Sequence, residues 1–84
     1  MNNYTILGYS KRIKKCDNVI KELKRVGLEF NIKEKKRVKC SSTDCWLETG
    51  CEINFKNSGR DKIIETWTPI SIKNGFNESF IYAK

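Results

Sequence analysis

The chain has 84 residues, of which 38% are hydrophobic and 11% aromatic, and its formal net charge is +7. This length allows one small domain with a thin core, and it leaves little room for a large catalytic cleft. The composition is that of a compact fold rather than a disordered tail, and no apolar run is long enough to predict a membrane span.

The first part of the chain predicts a strand followed by an amphipathic helix. Residues 4–9 are typical of a strand, and Ser10 is a suitable N-cap for a helix over residues 11–26 that ends at Gly27. At helical spacing the apolar side chains, Cys16 and Val19 among them, gather on one face. The opposite face is basic and consists of Lys11, Lys14, Lys15, Lys21 and Arg25.

Two alternating segments, residues 28–40 and 45–55, predict a β-hairpin around a loop at residues 41–44. When paired residue numbers sum to 85, apolar residues match on one side: Val38 with Leu47, Ile32 with Ile53 and Phe30 with Phe55. Charges match on the other side: Arg37 with Glu48, Lys33 with Glu52 and Glu29 with Lys56. A slip of one residue would destroy both patterns, so the register is well specified, with a bulge allowed near residues 34–36.

The C-terminal part allows two interpretations. Residues 62–68 share one apolar face as a helix, but their β-branched and aromatic content favours a strand that Pro69 ends. Asn74-Gly75 is typical of a hairpin turn, which would set Trp67 opposite Tyr82. We therefore expect an α+β fold with one amphipathic helix packed on an antiparallel sheet, β-α-β-β-β-β. The alternative is a ferredoxin-like β-α-β-β-α-β arrangement with a second helix at residues 60–68.

The four cysteines match a metal site poorly, because zinc ligands come in close pairs and the chain contains no histidine. We predict no metal and no cofactor. A disulfide between Cys40 and Cys45 fits the hairpin register. However, the N-terminus lacks the pattern of a secretory signal, so we expect a cytoplasmic protein whose cysteines are packed free thiols.

The sequence does not predict an enzyme. Without histidine the usual general base at neutral pH is missing, and there is no phosphate-binding glycine loop or nucleophile elbow. We assign no catalytic residue. Chemistry by lysine, arginine and tyrosine, as in a small ribonuclease toxin, stays a third hypothesis.

The basic residues predict a nucleic-acid-binding surface. Residues 1–40 hold 12 Lys and Arg against four Asp and Glu, a net charge of +8, whereas residues 41–84 have a net charge of −1. Such polarity favours an acidic partner, and a row of cations beside an aromatic ring suits a single-stranded nucleic acid, RNA in preference to DNA. The row consists of Lys33, Lys35, Arg37 and Lys39 and ends beside Trp46. Together with the basic helix face it makes up the predicted binding surface. Glu48 and Glu52 would neutralise part of this row. The alternative role for Trp46 is a cation–π contact with Lys39 instead of stacking on a base.

The second hypothesis is a protein-binding inhibitor or accessory factor that acts on a host enzyme or a nucleoprotein. Its small size and its content of Lys, Asn and Ile favour a phage or mobile-element product. The basic face would then bind an acidic protein. Exposed strand edges would also allow pairing into a homodimer. We expect no membrane partner, because the apolar helix face is needed for the core.

Overall fold

A computed structural model describes residues 3–83 as four strands and two helices in the order β-α-β-β-α-β. The elements are β1 (Tyr4–Ser10), α1 (Asp17–Val26), β2 (Phe30–Cys40), β3 (Cys45–Phe55), α2 (Arg60–Lys73) and β4 (Glu78–Ala83). The strands form one antiparallel sheet in the order β2-β3-β1-β4. The α+β class is confirmed, and of the two expected architectures the ferredoxin-like alternative is the one observed.

The hairpin of β2 and β3 has the predicted register throughout. Phe30 pairs with Phe55, Arg37 with Glu48 and Cys40 with Cys45. The pairing continues through Glu34, Lys35 and Lys36 without the bulge that we allowed there. Because both strands are 11 residues long, the hairpin is the longest feature of the sheet.

Helix α1 begins later than predicted, at Asp17 rather than at residue 11. Ser10 is not its N-cap, because Ser10 belongs to β1 and its hydroxyl donates to the Asn74 carbonyl at 2.9 Å. The helix starts where Cys16 is anchored, since the Cys16 backbone N–H donates to the Glu34 carboxylate at 3.0 Å. It ends at Gly27 as predicted, in the left-handed conformation with φ of 80°.

Residues 60–73 form a helix, so the preferred interpretation of residues 62–68 as a strand is wrong. Ile63, Thr66, Trp67 and Ile70 are buried at helical spacing, and this burial outweighs the β propensity of the segment. Pro69 lies inside the helix rather than ending it.

Asn74-Gly75 ends α2 and is not a hairpin turn. The Asn74 N–H donates to the Ile70 carbonyl at 3.1 Å, and Gly75 has a φ of 69° that suits glycine. Trp67 consequently does not face Tyr82. Its ring lies 4.9 Å from that of Phe76, and its indole N–H donates to the Ser79 hydroxyl at 3.3 Å.

The core lies between the two helices and one face of the sheet. Its buried residues come from the central strands β1 and β3, from α1 with the preceding Cys16, and from α2: Ile6, Cys16, Val19, Leu23, Cys51, Ile53, Phe55, Ile63, Trp67 and Ile70. On central strand β1, a glycine is needed for Trp67 and Phe76 to pack closely. A Cβ atom on Gly8 would lie 2.9 Å from Cδ1 of Phe76 and 3.1 Å from Cζ2 of Trp67.

We therefore expect Gly8→Ala to destabilise the protein by about 1–3 kcal/mol through overpacking. Thermal unfolding followed by circular dichroism measures the change in midpoint. Gly59→Ser is the control, because a side chain there meets nothing within 4 Å and serine is a preferred residue at the N-cap of a helix. An unchanged midpoint for Gly8→Ala would contradict the packing of Trp67 and Phe76 against β1.

Candidate functional site

The end of the β2–β3 hairpin projects beyond the rest of the sheet. β1 pairs with β3 only as far as the Ser10–Thr49 pair, so the neighbouring strand stops before the hairpin does. We call residues 37–48 the arm. The arm contributes to an elongated molecule, whose extents are 45 × 23 × 19 Å.

The tip of the arm is closed by a disulfide between Cys40 and Cys45. Within the loop, the Ser41 hydroxyl accepts from the backbone N–H of Thr43 at 3.3 Å and of Asp44 at 3.1 Å. The expectation of free thiols is therefore wrong. The register had brought the two cysteines together, and only the expected reducing compartment argued against the bond.

One face of the arm carries an uncovered apolar pair. Val38 and Leu47 lie opposite each other and are 68% and 59% exposed. They occupy the same face of the sheet as Ile32 and Ile53, which pack at the core. The apolar alternation of the hairpin thus continues beyond the part that the protein itself covers.

The opposite face of the arm is held by a buried carboxylate. Glu48 is fully buried, and its Oε1 lies 2.7 Å from Nη2 of Arg37 and accepts from Nε of Arg37 at 2.8 Å. Its Oε2 accepts from the indole N–H of Trp46 at 3.0 Å and from the Asn77 amide at 3.3 Å. The hydrogen bond from Trp46 and the ion pair with Arg37 lower the pKa of Glu48 from 4.5 to about 2, against the opposing effect of burial.

Arg37 connects this carboxylate to the edge strand β4. Nη1 of Arg37 lies 3.1 Å from Oε1 of Glu78, and the guanidinium lies 3.6 Å from the centre of the Tyr9 ring. Glu78 also accepts from Lys39 at 3.0 Å. Hydrogen bonds from Arg37 and then Lys39 lower the pKa of Glu78. The base of the arm is therefore tied to β1 and β4 by charged and aromatic side chains.

The predicted basic row is engaged within the protein. Arg37 and Lys39 are paired as described, and Lys35 forms an ion pair with Glu52 at 2.9 Å. Lys33 is exposed opposite Glu52. Trp46 is covered by Lys11, whose amino group lies 5.0 Å from the ring centre, and not by Lys39 as predicted.

The remaining predicted residues lie elsewhere. Lys14 and Lys15 are exposed in the segment before α1, where the Lys14 carbonyl accepts from the Lys36 amino group. Lys21 and Arg25 lie on α1, which covers the other face of the sheet from Arg37 and Trp46. The ten residues do not form the single basic surface that the sequence predicted.

A second disulfide joins Cys16 at the start of α1 to the buried Cys51 on β3, across a sequence separation of 35. In residues 3–83 no group of three or more potential ligands is arranged to hold a metal ion. The same part of the chain contains no helix that is both long and apolar enough to cross a membrane.

Solved structures share this fold over almost the whole chain. The B. subtilis GlnK–ATP complex matches with a TM-score of 0.62 at 14% identity, and the match covers 99% of this chain and 82% of that one. A structure of B. subtilis GlnK matches with a TM-score of 0.59 at 15% identity, and the match covers 100% of this chain and 86% of that one. The periplasmic divalent cation tolerance protein CutA from Archaeoglobus fulgidus matches with a TM-score of 0.58 at 15% identity. This match covers 100% of this chain and 82% of that one. No protein-family model and no curated protein matches the sequence.

The prediction of a nucleic-acid-binding protein is wrong. Solved structures that share the fold include GlnK, in one case in complex with ATP, and the divalent cation tolerance protein CutA, and none of those reported above is a nucleic-acid complex. The physical reason is that Lys35, Arg37 and Lys39 are neutralised by glutamates of β3 and β4. At identities of 14–15% the likeness shows the shared fold alone.

Sequence reasoning missed two features of this site. It matched Arg37 with Glu48 in register, but nothing local to the hairpin indicated that β4 would bring Glu78 and Asn77 to the same place. Val38 and Leu47 served to predict the register, but their exposure to solvent was not predicted. The signal was present, because the apolar alternation runs to the end of a hairpin that is longer than its neighbouring strands.

We expect the Glu48 network to make stability depend on acid pH. Because the pKa of Glu48 falls from 4.5 to about 2 on folding, the stabilisation is complete above about pH 5 and is lost as pH falls toward 2. Wild type should therefore exceed Glu48→Gln in thermal midpoint at neutral pH, and the gap should shrink through that range. Glu29→Gln, at an exposed position, is the control and should show no such gap. A gap that does not change with pH would contradict the network.

Proposed function

We propose that this protein is a non-enzymatic accessory factor that binds another protein through the arm. The carrying observation is the exposed pair of Val38 and Leu47 at the end of a hairpin that is braced on its other face. Exposed apolar side chains that are held together on a projecting element are typical of interaction sites.

The bracing supports binding because it reduces the ordering that association requires. The disulfide closes the tip, and Glu48 and Arg37 hold the base. A loop that is already held in its binding conformation loses less entropy when a partner docks. The arm therefore presents Val38 and Leu47 in one fixed arrangement.

The surroundings of the pair favour an acidic partner. Lys36 lies on the same face of β2, 3.8 Å from the Glu34 carboxylate. Its amino group also donates to Thr49 at 2.9 Å and to the Lys14 carbonyl, which brings the exposed Lys14 and Lys15 of the segment before α1 close to the arm. A polar, basic rim around a small apolar centre has the usual form of a protein interface. The matching surface is an apolar cleft with acidic residues at its edge.

The absence of histidine from the sequence supports a non-enzymatic role. The carboxylates Glu48 and Glu78 are engaged in ion pairs with Arg37, which leaves neither as a general base. The narrower expectations of a phage product and of an inhibitor stay predictions.

The double variant Val38→Ser/Leu47→Ser should lose partner binding and keep its fold, because both residues are exposed. The partner is first isolated by affinity capture on the wild-type protein and then titrated, purified, against each variant by calorimetry. We expect the double variant to bind at least roughly tenfold more weakly, since truncating central apolar residues costs more than about 1 kcal/mol each.

Ile72→Ser is the matched control, because Ile72 is 73% exposed and belongs to α2 rather than to the arm. It should bind as the wild type does. Equal affinities for the wild type and the arm variant would contradict the proposal, and so would a captured partner that binds the Ile72 variant as weakly as the arm variant.

Self-association is a second candidate role, and the edge strand β4 favours it. Phe80 and Tyr82 are 53% and 42% exposed on the face of the sheet that the helices leave open. An edge strand with exposed aromatic residues is suited to contact between two copies. In light scattering after gel filtration we expect an oligomer that dissociates in Phe80→Ser/Tyr82→Ser. A monomeric wild type at all concentrations would exclude this role.

The cytoplasmic location expected from the sequence stays a prediction. The two disulfides weigh against it, because disulfides persist mainly in oxidising compartments.

A further inference from the structure

A groove runs between the outer sides of α1 and α2, on the helix layer and away from the apolar pair of the arm. It is formed by two adjoining cavities of about 200 and 370 Å³, which share Glu22, Arg25 and Lys73 as lining residues. The floor is apolar, because Val26 and Ile70 line the larger cavity. Val26 is 45% exposed there, so the apolar floor is open to a ligand.

The edges of the groove are basic. Lys21 and Arg25 line it from α1, and Lys62 and Lys73 line it from α2. Two carboxylates, Glu22 and Glu65, face these four cations.

Glu22 is already engaged, since it accepts from Lys73 at 2.8 Å and from the Asn74 amide at 3.3 Å. The hydrogen bond from Lys73 lowers the pKa of Glu22, so this carboxylate stays charged and paired. Among residues 3–83, no carboxylate lies within ion-pair distance of Lys21, Arg25 or Lys62. The groove therefore holds four cations against two carboxylates, and its net charge of +2 is available to an acidic ligand.

The spacing of the cations distinguishes an elongated ligand from a compact one. Lys62 and Lys73 stand at opposite ends of α2, and 11 helical steps between them span about 16 Å. A single phosphate reaches only one end of such a row. An apolar floor between two separated basic edges instead matches a helix with an apolar stripe and acidic residues on both sides of it.

We propose that the groove between α1 and α2 binds an acidic amphipathic helix of a partner protein, which places Leu-like side chains over Val26 and Ile70 and carboxylates against Arg25 and Lys62. This site is separate from the arm and does not depend on the function proposed for the arm. The two surfaces together would allow the protein to hold two partner segments at once.

The test uses the full chain and a fluorescein-labelled synthetic peptide of about 14 residues, made of Leu and Glu in a helical amphipathic pattern. A scrambled peptide of the same composition is the reference for nonspecific attraction. We expect anisotropy titrations to show saturable binding of the patterned peptide, at least roughly tenfold tighter than that of the scrambled one, with affinity that falls as salt is raised.

Arg25→Glu/Lys62→Glu should weaken binding of the patterned peptide at least roughly tenfold. The control, Lys24→Glu/Lys56→Glu, changes the net charge by the same amount at exposed positions that do not line the groove, and it should bind as the wild type does. Circular dichroism confirms that both variants are folded. In the wild type, NMR shift changes on adding peptide should map to α1 and α2 and spare residues 37–48.

Several results would overturn the proposal. These are no saturable binding, equal binding of the scrambled peptide, equal losses in the groove and control variants, or shift changes confined to the arm. Displacement of the peptide by millimolar inorganic phosphate at constant ionic strength would show instead that the groove is a site for compact anions.

Discussion

The ion pair of Arg37 and Glu48 is the interaction on which the arm depends. Glu48 is fully buried at a point where β1 no longer flanks β3, so neither water nor β1 satisfies its charge. Burying a carboxylate is favourable only when it is paired and hydrogen-bonded, and Arg37, Trp46 and Asn77 together provide this. Because Asn77 precedes β4, the same contacts join the hairpin to the end of the chain.

The two faces of the arm serve different purposes as a result of this arrangement. Charges and rings on one face are used internally and hold the arm in place, whereas Val38 and Leu47 on the other face have no cover. A hairpin of this kind without bracing would be a flexible loop, because its apolar pair alone gains little from being held together. The Cys40–Cys45 disulfide completes the bracing at the tip.

The sequence predicted local pairing well and tertiary contacts poorly. The β2–β3 register was predictable because apolar and charged matches on two faces both require it. Helix α2 was predicted only as the alternative, because Ile63, Ile64 and Thr66 have strand propensities that burial against the sheet overrides. The Cys16–Cys51 bond and the approach of Glu78 to Arg37 join segments far apart in the chain, and no pattern within either segment indicates them.

The positive net charge of +7 also looks different once the fold is known. On the sheet, the lysines and arginines of β2 meet glutamates from β3 and β4, so the charges that appear as a row in the sequence are largely balanced in space. Three cations for which no ion pair forms among the described residues, Lys21, Arg25 and Lys62, lie instead on the helix layer, where they border an apolar groove. A charge gradient along a chain therefore says little about which surface is basic, because an antiparallel sheet sets distant segments side by side. What remains unpaired after folding is the better guide to a partner, and here it favours an acidic protein segment.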